Sequence, residues 1–491
     1  MSKINSPTHT IGRVLFPVCL LALSFLLLAV LGGCVSSTGK EVKAPLLAGT
    51  AKDGINTARL SLFLSLKDPV GPGIRFELTN LEILTDQVWL PVTSGPLRLD
   101  SEKIAASQVF LGGRAVPPGR YQRLRFTVTE SSFRGGSGEY ETASTEPYPV
   151  ELVLTSPLFL DKDDSQCLFI TWDVLESLEG LDSRRLVMTI SPPIRQLFVN
   201  LVFMSCPDID TVFVVRSVKN WVADSFGISG GPSYIALAPD PTKRLLYALA
   251  SRESRIKVVE LNSQRVVDSF PIPLIKEASF MTISPDGQWA YVLDERESYL
   301  SRLDLESGTL LARTRTGYEP QYVTYLADKD LLAVSSVISQ KVSFRDPLTL
   351  NEVRSIPTGN SPDGLLLADN QLYIAESGAN TVSVFDFVRN MIQSRIDVGF
   401  GPRRLLNSGS QFYVSNYDSG SLSVIYPGQL GVSREIVGLG RPLEMIYDTK
   451  HRWIYVGDEK EAGLAIVDST VNQLMGFITV GARPLGLAII Q

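Results

Sequence analysis

Four polar residues recur at one position of a repeating unit and could do chemistry together: Asp294, Glu376, Asn416 and Asp458. Each follows by three residues a tyrosine that stands at the same place in successive units, namely Tyr291, Tyr373, Tyr413 and Tyr455. Carboxylates gathered at one end of a repeat can hold a cation or a sugar hydroxyl, and the same segments add Glu295, Glu297, Asp418, Glu459 and Glu461. Arg403, Arg404, Arg441 and Arg483 fall where the chain enters a unit, so an acidic rim around an arginine-lined inner ring is expected. Such a face suits a cation, a sugar or a charged peptide. Asp and Asn at hairpins more commonly accept hydrogen bonds from turn backbone, and that is the expected role of any one of the four taken singly. The face as a whole is the expected binding surface.

Other chemistry is narrowly bounded. The 491 residues include only 2 His, of which His9 lies in an N-terminal leader. His451 alone cannot supply a multi-histidine metal centre or two haem ligands, and any Ser-His-Asp device would have to use it. Gly227 to Gly231 spells G-x-S-x-G, a pattern that works as a nucleophile only between a strand and a helix; here it falls in a loop entering a repeat. Asp161 to Ser165 is polar enough to suggest calcium, but an EF-hand loop needs Gly and Glu where Gln166 and Trp172 stand, so a solvated turn is expected. No catalytic residue, metal ligand or cofactor is therefore assigned. With 46 Lys+Arg against 52 Asp+Glu, a net charge of −6 and no concentrated basic stretch, nucleic acid is excluded as a partner.

The elements that must position these residues come from the repeat. Phe203, Tyr247, Tyr291, Ala333, Tyr373, Tyr413 and Tyr455 are spaced by 44, 44, 42, 40, 40 and 42 residues, a period typical of propellers and solenoids. Thirteen residues after each comes Arg216, Glu260, Asp304, Asp346, Asp386, Tyr426 or Asp468, mostly turn formers, and the constant offset predicts two strands joined by one tight hairpin. Pro232, Pro320, Pro362, Pro402, Pro442 and Pro484 mark the entry loops. Phe203 heads a unit without its own first strand, while residues 483–490 form a first strand without the rest; joined, they complete a seventh blade, and the C-terminal strand closes the ring. The units, above all residues 373–386 (YIAESGANTVSVFD) and 413–416 (YVSN), with the turn 284–287 (SPDG), resemble the YVTN-type β-propeller repeat of surface and secreted prokaryotic proteins. By analogy of fold alone, the alternative to a binding protein is a lactonase-like hydrolase whose metal would sit on Asp294, Glu376 and Asp458.

Upstream, short alternating runs begin at Ala58 and are punctuated by Gly, Pro, Asp and Ser, which predicts a β-sandwich over residues 57–195 ahead of a propeller over 196–491. The order FELTNLEIL, LRLD, VPPGRYQRLRFTV, LFITWDV and VMTISPPI resembles a domain of unknown function common in bacterial lipoproteins. At the N-terminus, Lys3 and Arg13 precede an apolar run over residues 14–31 that reads as an export signal or, uncleaved, as a membrane span. Leu31-Gly32-Gly33-Cys34 resembles a bacterial lipobox, which implies cleavage after residue 33, acylation of Cys34 and a tether over residues 34–56. Several acyl chains at about 0.8 kcal/mol per methylene hold a protein durably to a membrane. Val35, rather than Asp, points to the outer membrane in the enterobacterial version of that family. Cys167 and Cys206 are then left outside the cytoplasm and are expected to pair across the two domains. The expected function is a tethered, non-enzymatic binding or scaffold protein whose propeller face meets a protein or a carbohydrate.

Overall fold

The computed structural model describes residues 57–71, 73–86, 88–179, 186–193 and 199–491; the leader, Cys34 and the tether lie outside them. Among the described residues no helix is long and apolar enough to cross a membrane. The architecture is all-β.

Residues 58–191 build two sheets. One orders Val187–Ser191, Ser165–Asp173, Ala58–Leu66 and Gln108–Val116; the other centres on Ile74–Leu84 and Gly119–Arg134, which pair with Trp89–Pro91, Leu97–Asp100, Tyr140–Ser144 and Tyr148–Leu160. Alternation makes these strands: Ile74, Phe76 and Leu78 are buried while Arg75 is exposed. At Asn80, where φ is 53°, an irregularity in the pairing shifts the phase so that Leu81 and Ile83 remain inside. Leu60, Leu62, Ile170 and Trp172 from one sheet and Phe76, Leu124, Phe126 and Leu152 from the other share one apolar core. Gln108–Val116 is a strand despite its two adjacent glycines, Gly112 and Gly113, which pair with Leu62 and Ser61.

Seven four-stranded antiparallel sheets follow among the described residues. The first orders Leu487–Ile490, Leu201–Cys206, Thr211–Arg216 and Trp221–Gly227; the second orders Pro232–Leu237, Leu245–Ala250, Arg255–Glu260 and Arg265–Pro271. The other five open on Ala278–Ile283, Pro320–Leu326, Pro362–Ala368, Pro402–Asn407 and Pro442–Asp448. Opening strands of successive sheets lie against one another, and Leu487–Ile490 lies against both Pro232–Leu237 and Pro442–Asp448.

Turn chemistry explains the fixed offsets. Seven residues after each repeat anchor the backbone is left-handed, at Asp210, Ser254, Ser298, Gln340, Asn380, Gly420 and Ala462, where the second strand turns into the third. The residues thirteen after the anchors stand at the end of the third strand, and the acidic ones among them accept from the following turn: Asp304 from the N–H groups of Glu306 and Ser307 (3.1 and 2.7 Å), Asp346 from those of Leu348 and Thr349 (3.0 and 2.6 Å). Such bonds stabilise the turn by pairing backbone groups that the ladder leaves open.

The first region packs directly on the sheets. All nine residues of Ala58–Leu66 are buried, because its leucines fill the first core while Phe63, with Phe110 and Cys167, enters a second cluster containing Val202, Met204, Phe213, Ile478 and Leu487. The expected Cys167–Cys206 disulfide is not what the structure holds. Both thiols are free and fully buried within that cluster, and burial pushes both far above the usual thiol range. Cys167 Sγ instead donates to Ser225 Oγ at 3.2 Å, in a seam of hydroxyls where Thr211 Oγ1 bonds Ser165 Oγ at 3.0 Å. Aromatic packing, with Phe63 5.4 Å from Phe110 and 6.4 Å from Phe213 between ring centroids, does the clamping a disulfide would have done.

The turn carboxylates make stability pH-dependent. Hydrogen bonds from the N–H and hydroxyl of Ser307 hold Asp304 below its ordinary range, and those of Thr349 do the same for Asp346. A depressed carboxylate stabilises the fold above its unfolded value of about 3.9 and loses that contribution as pH falls through the folded value. The melting temperature is therefore expected to drop below about pH 4, and Asp304→Asn/Asp346→Asn should show a smaller difference between pH 7 and pH 3 than the parent; equal differences would remove these turns as the cause.

Candidate functional site

The four repeat-aligned residues do not line a face. Asp294, Glu376, Asn416 and Asp458 are all 0% exposed. Each ties down its own sheet. Asp294 accepts from the N–H groups of Lys276 (3.0 Å) and Glu297 (3.1 Å), and Asp458 from those of Gly440, Arg441, Lys460 and Glu461 at 2.7 to 3.1 Å. Glu376 takes the Gly359 N–H (2.6 Å) and the hydroxyls of Thr381 (2.7 Å) and Ser383 (2.6 Å), and Asn416 donates to Ser421 and Ser423. The sequence held a signal for this. The same position in the other units carries Cys206, Ala250 and Ser336, residues at home in an interior, and these are also fully buried.

Neither His451 nor Ser229 is set up for catalysis. His451 Nδ1 lies 2.7 Å from Asp448 Oδ2 and its ring stacks on Trp453, which makes it part of a turn. Ser229 receives Lys257 Nζ on its Oγ (2.6 Å) and carbonyl (2.8 Å), in a loop.

The chemistry that does converge lies at the start of the opening strands. In six sheets the pairing slips by a residue there, for example between Pro232 and Tyr234 and between Pro402 and Arg404. A bulge re-aims side chains. The residues two after the opening position meet as a plug: Phe280 lies 4.3 Å from Tyr234 and 4.4 Å from Tyr322 between ring centroids, and the Arg404 guanidinium sits 5.5 Å from the Phe280 ring centre and 4.9 Å from that of Tyr322. Arg404 also pairs with Asp363 and Glu444, while Arg403 reaches Asp363 at 3.0 Å. Although burial works against its charge, Asp363 and Glu444 raise the Arg404 guanidinium above its ordinary value. Burial pushes the hydroxyls of Tyr234 and Tyr322 well up, so both stay protonated. At the corresponding place Gly364 and Gly486 leave room: a Cβ on Gly364 would stand 2.4 Å from the Arg403 carbonyl.

Above this floor the charges divide. Burial raises the Glu295 carboxyl; Gln321, bonded to it at 2.7 Å, opposes the shift, and Glu277, Glu319 and Asp363 add to it. Among the described residues Glu277 and Glu319 have no ion-pair partner. The basic side runs through Arg403, Arg441 and Arg483. Tyr417 lies between Arg403 and Arg441, each 5.5 Å from its ring centre, and donates its hydroxyl to Glu459. Arg483 pairs with Asp208 at 3.1 Å and Glu459 at 3.4 Å, whereas Arg441 is exposed and, among the described residues, without an ion pair. Of the seven residues expected at a binding face, only these three arginines stand near the opening. Sequence reasoning missed Glu277, Glu319, Gln321, Asp363 and Glu444, although all flank the start of an opening strand and follow the same period.

No protein-family model and no curated protein matches the chain in sequence. Solved structures similar to it include two that align over nearly their whole length. A functionally unknown protein from Desulfotomaculum acetoxidans aligns with a TM-score of 0.53 and 12% identity, over 60% of this chain and 99% of its own. A protein from Bacteroides fragilis, provisionally assigned as a 6-phosphogluconolactonase, aligns with a TM-score of 0.51 and 12% identity, over 59% and 98%. The fold is β-propeller-like. At this identity the likeness is one of fold and carries no activity.

The plug is a test of the floor. Removing one member of a buried ion network leaves the others uncompensated, which costs about 3–5 kcal/mol. Arg404→Ala is expected to lose stability on that order in chemical denaturation, whereas Arg441→Ala, at the exposed rim, should change it by less than about 0.5 kcal/mol.

Proposed function

We propose that this chain is a cell-envelope lipoprotein that binds a dipolar ligand, a protein segment or a sugar carrying both signs of charge, at the mouth of a seven-bladed propeller, without catalysis. In this reading the leader ends at residue 33, Cys34 carries the lipid, residues 34–56 are the tether, and residues 57–195 form a sandwich that spaces the propeller of residues 196–491 from the membrane. The blades are of the YVTN type and the strand Leu487–Ile490 closes the ring. One observation carries the binding site: Glu277 and Glu319, without ion-pair partners among the described residues, lie near enough to Glu295 to raise it, while Arg441, likewise without one, lies over the Tyr417 ring. Charges left unpaired at a concave opening favour a ligand with the complementary arrangement.

The lactonase-like alternative loses its proposed metal ligands. Asp294, Glu376 and Asp458 are each occupied by the backbone and hydroxyls of separate sheets, and among the described residues no three of His, Cys, Asp and Glu converge.

Crosslinking in intact cells that express the full chain tests the mouth. Glu277→Lys/Glu319→Lys/Arg441→Glu should lose at least about tenfold of the specific adduct, roughly 1.4 kcal/mol of binding; an unchanged adduct would sink the proposal. The anchor has its own test. Cys34→Ser should move the mature protein out of the membrane fraction or leave it unprocessed, and normal cleavage with membrane retention would rule out the lipid.

A further inference from the structure

At the mouth-side end of the fourth sheet, the one that opens on Pro320, the exposed tips change character. Two residues past the end of the second strand, the other six sheets carry Asp208, Arg252, Arg296, Gly378, Asp418 or Lys460, all exposed. The fourth carries Ile338, 60% exposed. Beside it, on the loop entering the same sheet, stands Tyr318, 69% exposed, where the loops of the neighbouring sheets carry Lys276 and Asn360. Two hydrogen bonds hold these tips together: the Val337 N–H donates to the Glu319 carbonyl at 2.9 Å, and the Tyr318 N–H to Ser339 Oγ at 2.7 Å.

The pair belongs to a band that continues onto the third sheet. There the Arg313 guanidinium donates to the Leu274 carbonyl at 2.9 Å and lies 3.4 Å from the Tyr299 ring centre, while Arg315 Nε donates to the Tyr299 hydroxyl at 3.0 Å. Leu274 is 71% exposed, and Tyr318 follows Arg315 by three residues. Exposed apolar residues scattered singly are ordinary on a protein surface. Leu274, Tyr318 and Ile338, joined through Tyr299 and two arginines, are not scattered, and tyrosine and arginine are the residues in which the strongest-binding parts of protein interfaces are rich. Charge accompanies the band. Glu277 lies on the loop of Leu274 and Glu319 follows Tyr318, both exposed and, among the described residues, without ion-pair partners.

We infer that this band docks a protein partner, through a segment that lays an apolar side chain on Tyr318 and Ile338 and sets a lysine or arginine against Glu277 and Glu319. The inference rests on the reading of the mouth as a binding surface, and it selects protein over sugar there. A sugar needs hydrogen-bonding groups around its hydroxyls. Leu274 and Ile338 offer apolar area instead, which gains from leaving water only against another apolar surface. The two carboxylates supply complementary charge, which fixes the register of a basic segment and repels an acidic one.

A benzophenone amino acid in place of Ile338 in the full chain, photoactivated in intact cells, reads the contact. One protein adduct of discrete mass is expected, and none from the same group in place of Val267, which is 57% exposed on the outer strand of the second sheet. Tyr318→Ser, at an exposed site, and separately Glu277→Lys/Glu319→Lys should each lower the adduct at least about tenfold. No adduct, an adduct that resists proteinase, one at twice the mass of the chain, or full yield in either background would overturn the inference. The two backgrounds also separate it from the reading on which it rests. Loss in Glu277→Lys/Glu319→Lys with full yield in Tyr318→Ser leaves the charged mouth standing without the apolar contact, and full yield in both removes both.

Discussion

The end of the second strand in each sheet is the constraint on which the rest hangs. There the chain leaves the ladder for a left-handed turn while the loop entering the sheet passes alongside, so several backbone N–H groups meet in a place closed to water. An unpaired buried donor costs about 1–3 kcal/mol, and a bond to a charged acceptor contributes about 1.5–3. Asp294 and Asp458 satisfy two and four such donors respectively. A second tie recurs beside them: the N–H groups of Ser251, Glu295, Val337, Ser377, Tyr417 and Glu459 bond the carbonyls of Gly231, Glu277, Glu319, Ser361, Gly401 and Arg441. Where the position carries Ala250, as in the second sheet, that backbone tie remains.

This constraint decides where functional charge can reside. Carboxylates at the strand end are consumed by the frame. The residues just before the opening strands, by contrast, have their carbonyls fixed by the recurring tie and their side chains outside it. Glu277, Glu319 and Arg441 are such residues, so the surface proposed to bind would present its charges from backbone that is already held, a condition for precise recognition. The floor below them is equally determined. Arg404 is held by Asp363 and Glu444 and covered by Phe280 and Tyr322.

The repeat was legible because its turns tolerate no insertion. A left-handed residue seven positions after each anchor and, in five of the seven units, an acidic turn acceptor thirteen after it leave an imprint of fixed offsets that survives while side chains drift. A strand such as Ile74–Leu84 was legible for the same kind of reason, a period set by burial. The site was less legible. Polarity at Asp294 and Glu376 suggested exposure, yet burial at that position is a property of the column, visible only when Cys206 and Ala250 are read beside them. The bulge that opens six of the sheets leaves no mark in composition, and without it the sequence could not say that Arg404 points to the axis while Arg403 shares its carboxylate partner. The two cysteines share one buried cluster, but spacing says nothing of direction, and Cys167 turns to Ser225 rather than to Cys206.

The junction between the first region and the sheets owes its shape to close backbone approach. A Cβ added to Gly227 would stand 1.8 Å from the Asp163 carbonyl, so only glycine admits the turn Asp161–Ser165 at this distance. The approach is secured from behind by Phe63, Phe110 and Phe213 in one shared cluster and by the hydroxyl seam of Ser165, Thr211 and Ser225. Arg59 shows how tightly the contact is closed: burial pulls its guanidinium down to about 10, against the opposing pull of Cys206 and Asp210, and its Nε finds no partner. A junction that accepts such a cost holds its two walls at a fixed separation.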